Sequence, residues 1–190
     1  MPAHNSPSSH NTRPTWGMVF SHPAHALALG FGSGLAPRAP GTAGTLLAWL
    51  LFAVMQAALP PLWLAACVMV SVPIGWWACT LTASKLGLSD PGCIVWDEIA
   101  AFWLLLWLAD TLIPLLAPPG SGWPPVVLYA AVFVVFRFFD AAKPWPVSWA
   151  DRVFKGHGWR GGWGIMFDDL VAAACSLGVL LVVRYIVAFS

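Results

Sequence analysis

The chain has 190 residues, enough for one ordinary domain at roughly 100–200 residues each. Hydrophobic residues make up 59% and charged residues 9%, with a mean hydropathy of +0.75, whereas a soluble domain carries about 25% charged residues. That excludes a disordered chain and a water-soluble globule, and it points to an integral membrane protein. A formal net charge of +1 without a Lys/Arg cluster argues against nucleic acid as a partner.

The first twenty residues are polar, bear Pro, Ser and His, and lack an apolar core of the kind a signal peptide needs. Residues 1–19 are therefore expected to be a flexible tail, and 20–190 the membrane-embedded domain. His22 and His25 can share a helical face, as a solvated or interfacial pair. The stretch from Gly30 to Thr45 then runs GFGSGLAPRAPGTAGT. Its glycines let backbone N–H groups approach an anion at the start of a helix, with Gly32, Ser33, Gly34 and Arg38 as candidate phosphate contacts. Thr42 as a simple helix cap is the alternative.

A membrane span needs about 20 largely apolar residues. Five stretches come close, at Thr42–Leu59, Leu62–Ala83, Ile99–Ala117, Val126–Phe139 and Leu170–Phe189. A Pro60-Pro61 hairpin separates the first two, and the Pro/Gly-rich stretch 118–122 breaks the chain between the third and the fourth. The expected fold is an all-α polytopic helix bundle. Orientation follows the basic residues. Arg13, Arg38, Lys85, Arg137, Lys143, Arg152, Lys155 and Arg160 fall on one side, which is placed in the cytoplasm; only Arg184 falls near the other.

Seven of the eight acids lie on that same side; the exception is Asp110, within the third span. Asp97 and Glu98 open span three, Asp140 closes span four, and Asp168 and Asp169 open span five. Capping and helix-dipole effects would account for either pair taken alone. Five carboxylates at one mouth of a bundle would repel one another unless a cation neutralised them, which favours a hard divalent metal. Arg137 and Lys143, in the run RFFDAAKPWP, are candidate binders of an anionic substrate. An i,i+3 ion pair of Arg137 with Asp140 and a snorkelling Lys143 are the structural alternatives. None of the four cysteines (Cys67, Cys79, Cys93, Cys175) has an Arg six positions on, and no DxD motif occurs, so neither covalent phosphatase signature is present. The cysteines form no CxxC pair, and inert small hydrophobes are their expected role. Asp110 is expected to face inward and to be hydrogen-bonded.

Four segments in this order, GFGSGLAPRAPGTAGT (30–45), DPGCIVWDEIA (90–100), FRFFDAAKPWPVSWAD (136–151) and GGWGIMFDDLVAA (161–173), resemble the phosphatidylglycerophosphatase A family. The resemblance covers about residues 20–185, with Ala101 and Cys93 as local departures. It implies a Mg²⁺-dependent phosphatase of the bacterial inner membrane that converts phosphatidylglycerophosphate to phosphatidylglycerol at the cytoplasmic face. On that reading some of Asp97, Glu98, Asp140, Asp168 and Asp169 hold Mg²⁺ and one serves as base, with Asp97, Glu98, Asp168 and Asp169 as the metal set. Arg137, Lys143 and the glycine loop hold the phosphate, and water attacks directly, though an aspartyl-phosphate stays open. The competing class is a small ion or solute transporter with a membrane-edge carboxylate site, centred on Asp110. The DG…AR…G…D…D run of a CDP-alcohol phosphotransferase is missing. A purely structural subunit gives the acids no reason to share a face. Oligomeric state is not legible in the sequence.

Overall fold

A computed structural model of the chain describes residues 14–114 and 124–189. Most of the N-terminal tail and the 118–122 break lie outside the described residues. Within them the chain is helical: α1 (Trp16–Val19), α2 (Pro23–Ala28), a 3₁₀ segment (Gly30–Leu35), α3 (Pro40–Ala58), α4 (Pro61–Leu86), α5 (Trp96–Leu112), α6 (Pro125–Ala142), α7 (Val147–Val153) and α8 (Gly158–Phe189). Four of these, α3, α4, α6 and α8, are long and apolar enough to cross a membrane. The five expected spans map onto α3, α4, α5, α6 and α8, with α5 reaching 17 described residues.

Apart from Pro73, inside α4, proline punctuates the bundle where it costs least. Pro40, Pro61 and Pro125 each start a helix, where the missing N–H would be unpaired anyway. α4 ends at Gly87, whose φ of 68° is the left-handed C-terminal stop that glycine adopts without strain. The third span is the core element: Ile99, Ala100, Ala101, Phe102, Leu105, Leu106 and Ala109 are fully buried along α5. It is clasped by α3, α4 and α8, and α8 also packs on α4, α6 and α7. α3 leans on α5 and touches α4 only marginally, although the two are joined by a two-residue hairpin.

One expectation is corrected. Residues 158–169 are not a loop leading into the fifth span; they are the first turns of α8, which runs unbroken for 32 residues. Its glycines look like breakers in the sequence but serve close packing. A Cβ at Gly162 would sit 2.8 Å from Thr80 Cβ and 2.9 Å from Thr80 Cα, and one at Gly164 would sit 2.7 Å from the Phe154 carbonyl oxygen. At about 1.5 Å per residue the helix is roughly 48 Å long, well beyond a hydrocarbon core of about 30 Å. Its N-terminal third therefore projects from the apolar slab.

Candidate active site

The extension of α8 changes what the acidic pair can do. Asp168 and Asp169 lie three turns inside the helix, so neither can cap it or complement the free N–H groups of its first turn. Asp97 fails as a cap too. Val95 occupies the N-cap of α5, with no side-chain capping bond. Thr42 likewise gives way to Ala39 at the N-cap of α3. Asp97 and Glu98 do stand in the first turn of α5, where they complement its free N–H groups. That does not require burial, and the carboxylates are buried: Asp97 is 8% exposed, Asp140 7%, Asp168 6% and Asp169 3%.

All five acids meet at one end of the bundle. The charges of Asp140, Asp97, Asp168 and Glu98 all bear on Asp169. Two cations divide the cluster. Arg137 Nη1 donates to Glu98 Oε1 at 3.2 Å, to Thr45 Oγ1 at 3.5 Å and to Asp140, so α3, α5 and α6 are tied through one guanidinium. Lys143 Nζ donates to Asp168 Oδ2 at 2.5 Å and to Asp151 Oδ1 at 2.9 Å. Asp151 Oδ2 in turn accepts from Lys155 at 2.9 Å. Burial pulls the Lys143 ammonium down, but hydrogen bonds and charge from Asp168 and Asp151 outweigh it and hold the group above the usual lysine range. Burial pushes Asp151 up, and the bonds from Lys155 and Lys143 win, so its carboxyl lies below the usual range.

Thus the expected i,i+3 pair of Arg137 and Asp140 forms, and it is one contact of a wider network. Lys143 is held by acids from α7 and α8. Asp151, a bridge between two lysines, went unassigned in the sequence, because nothing local to it marks a partner eight residues upstream. Thr45 was likewise inconspicuous within its glycine-rich stretch.

The glycine stretch abuts the site by a different route from the one its composition suggests. A Cβ at Gly41 would fall on the Glu98 carboxylate, and one at Gly44 would lie 2.8 Å from Val95 Cβ. Gly34 makes room for the Cys93 carbonyl, Gly32 (φ 105°) for the Trp16 ring, and Ser33 Oγ donates to Gly30 O at 2.9 Å. Gly34, Gly41 and Gly44 thus seat the loop on the 93–98 segment. Arg38 is exposed. Between the loop and the Gly92–Cys93 turn lies a cleft of about 410 Å³, bounded also by Gly34, Leu35 and Pro40 at the start of α3.

Asp97 Oδ1 and Glu98 Oε2 are buried and have no hydrogen-bond partner among the described residues. Such atoms cost free energy unless something satisfies them. Among the described residues no three acids, histidines or cysteines converge on a metal position as they stand. Mg²⁺ does not require that, since it is commonly held by one or two carboxylates with water and substrate phosphate completing the shell. Two orphaned, hard oxygens on adjacent residues fit that demand.

His22 and His25 do come together, with ring centroids 5.6 Å apart, but His25 is buried, so they are not the solvated pair expected. His22 accepts from Ala24 N as the cap of α2, and His25 Nδ1 lies 2.9 Å from Thr82 Oγ1. Asp110 is hydrogen-bonded, as expected, but it sits near the far end of α5, well away from the other acids.

Residues 26–184 match the sequence profile of the phosphatidylglycerophosphatase A family. This chain belongs to that family. Phosphatidylglycerophosphatase A of Escherichia coli strain K12 is 42% identical over 163 residues, which is 86% of this chain and 84% of the relative. Phosphatidylglycerophosphatase A of Haemophilus influenzae is 34% identical over 168 residues, 86% of this chain and 90% of the relative. A Bacteroides thetaiotaomicron protein, provisionally named a phosphatidylinositol-3-phosphatase, is 37% identical over 163 residues, 83% of this chain and 91% of the relative. No solved structure matches the chain. The phosphatidylglycerophosphatase A match runs through all four polar segments and thus through every acid and cation described above.

Proposed function

We propose that this chain hydrolyses the terminal phosphate of phosphatidylglycerophosphate, giving phosphatidylglycerol and phosphate in phospholipid synthesis, with Mg²⁺ as cofactor. The site would face the cytoplasm at a bacterial inner membrane. The observation that carries the reading is the convergence of five carboxylates, four of them buried and Glu98 half-buried, with Arg137 and Lys143 at one end of an apolar bundle. A lipid phosphomonoester presents its phosphate at that depth. The names of two relatives support the substrate.

In this reading Asp97 and Glu98, with Asp168 and Asp169, hold the metal. Bound there, it supplies positive charge to the phosphoryl oxygens and acidifies water. The chain's own groups do the rest. Arg137 and Lys143 exchange part of their carboxylate contacts for phosphate oxygens and offset the charge that develops on them. The start of α3, with no side-chain cap, borders the neighbouring cleft, and together with the exposed Arg38, next in the chain after the cleft-lining Pro37, it receives the outer part of the headgroup. A carboxylate freed from its cation takes the proton of the attacking water as its oxygen bonds to phosphorus. The phosphorus–oxygen bond to glycerol breaks, and the carboxylic acid so formed returns that proton to the leaving oxygen.

Phosphate release by detergent-purified protein tests this, with phosphatidylglycerophosphate as substrate under Mg²⁺ and under EDTA. Release that needs Mg²⁺ and drops at least about 100-fold in Asp169→Asn is expected. Well-folded protein that releases no phosphate with any divalent cation would reject the reading. Phosphatidylinositol 3-phosphate is the informative second substrate, given the name of the third relative. Preference for it would keep the phosphatase chemistry and overturn the headgroup.

A further inference from the structure

Asp110 belongs to a second polar site, at the opposite end of the bundle. It lies 13 residues along α5 from Asp97, about 20 Å at the helical rise. Its Oδ2 accepts from Gln56 Nε2 at 2.7 Å and from the Tyr129 hydroxyl at 2.6 Å, while Tyr129 OH also lies 3.0 Å from Gln56 Oε1. Three helices therefore converge on one carboxylate, from the last turn of α3, the last turn of α5 and the first turns of α6. Both donors are neutral and both use Oδ2. Neither cancels the negative charge.

The carboxylate opens on a cavity of about 230 Å³ whose walls include Gln56, Leu59, Leu64, Trp107 and Thr111. Of the described residues lining it, only Asp110 is ionisable. At about 30 Å³ per water the space holds several, enough for a small polar headgroup. An ionisable group inside a membrane domain marks a site and calls for a partner. The wall calls for a cation that also carries carbon: the carboxylate for its charge, the Trp107 ring for a cation–π contact, and Leu59 and Leu64 for its methylenes. The position narrows the source. Leu62 and Trp63, next in the chain after the Pro61 wall, are 79% and 63% exposed on the outside of the apolar bundle. An exposed Trp at a helix end is a marker of the lipid–water boundary.

We propose that this cavity binds the primary ammonium of an aminophospholipid headgroup, in the leaflet opposite the acidic cluster. The site is separate from the phosphatase centre and does not depend on the reaction assigned there. Its occupant is a resident lipid of the enzyme.

Native mass spectrometry of the detergent-purified full chain tests the proposal, with phosphatidylethanolamine and phosphatidylglycerol of equal chain length supplied in equal amounts. Wild type is expected to retain phosphatidylethanolamine at least tenfold over phosphatidylglycerol, and Asp110→Asn to bring the two to parity. Leu64→Trp fills the cavity and leaves the Asp110–Gln56–Tyr129 contacts intact, so it should abolish the preference as well. It decides the matter alone if Asp110→Asn does not fold. No preference in wild type, or a preference that survives both variants, would overturn the proposal. Free ethanolamine displacing the lipid at equal concentration would overturn the lipid source. The readout is retained lipid, so failure of the phosphatase reading would leave this result unchanged.

Discussion

Asp169 carries the sharpest conflict between stability and use. It is 3% exposed, and none of the ion pairs described above reaches it, whereas Asp140 and Asp168 each hold a cation. The charges of Asp140, Asp97, Asp168 and Glu98 all press on it. Uncompensated like charges in a buried site oppose the folded state. Asn has the same shape and no charge. Asp169→Asn should therefore lose phosphate release and yet, in metal-free buffer, melt at the wild-type temperature or above it. Thermal unfolding in EDTA beside the activity assay checks both halves. A variant that lost activity together with several degrees of melting temperature would mean that Asp169 is a packing residue. The same reasoning separates Asp169 from Arg137, whose loss would leave Glu98 and Asp140 unpaired and so should be destabilising.

At the scale of the helix, two glycines with the same composition signal serve different ends. Gly41 lies in the first turn of α3, and a Cβ there would fall on the Glu98 carboxylate. Gly162 lies in the second turn of α8, and a Cβ there would meet the Cα and Cβ of Thr80. A side-chain carboxylate can swing aside; a backbone cannot. Alanine also favours a helix over glycine by about 1 kcal/mol in an interior position. Gly41→Ala is thus expected to keep its melting temperature and lower phosphate release about tenfold or more, equivalent to about 1.4 kcal/mol of barrier. Gly162→Ala is expected to overpack the α4–α8 seam and cost about 1–3 kcal/mol of stability. Denaturation and turnover of the two variants should show opposite patterns.

These glycines also mark the limit of what the sequence makes legible. Apolar runs of span length are visible because the bilayer demands them, and four of the five expected segments coincide with helices that meet the span criterion. The five acids and two cations were legible as a set because charge is scarce in this chain and their excess on one side stands out. The start of α8 was not legible. Gly161-Gly162-Trp163-Gly164 reads as a break in isolation, and only the partners across the seam, Thr80 and Phe154, show why glycine is needed within a helix. Asp151 and Thr45 escaped for the same reason: each acquires its role from a residue that the fold, not the chain, places beside it.

For the whole molecule, the charges and the helix lengths give one arrangement in the membrane. The ends of α4 and α6, the starts of α3 and α5, and all of α7 gather at the charged pole. The α3–α4 hairpin and the Asp110 site lie at the other. Lys85, Arg137, Lys143, Arg152, Lys155 and Arg160 share the first pole, and the proposed cytoplasmic orientation rests on that excess of Lys/Arg close to span ends. The first third of α8 projects from that pole, and Gly156, between α7 and α8, faces open space. Gly156→Cys, in a chain whose four native cysteines are replaced by Ala, therefore gives a topological reporter. A membrane-impermeant maleimide should label it in inverted inner-membrane vesicles and spare it in intact spheroplasts until the membrane is opened. Labelling from the outside of intact spheroplasts would reverse the orientation. The acidic cluster would then face away from the cytoplasm, and a cytoplasmic-leaflet phospholipid could not be its substrate without crossing the bilayer first.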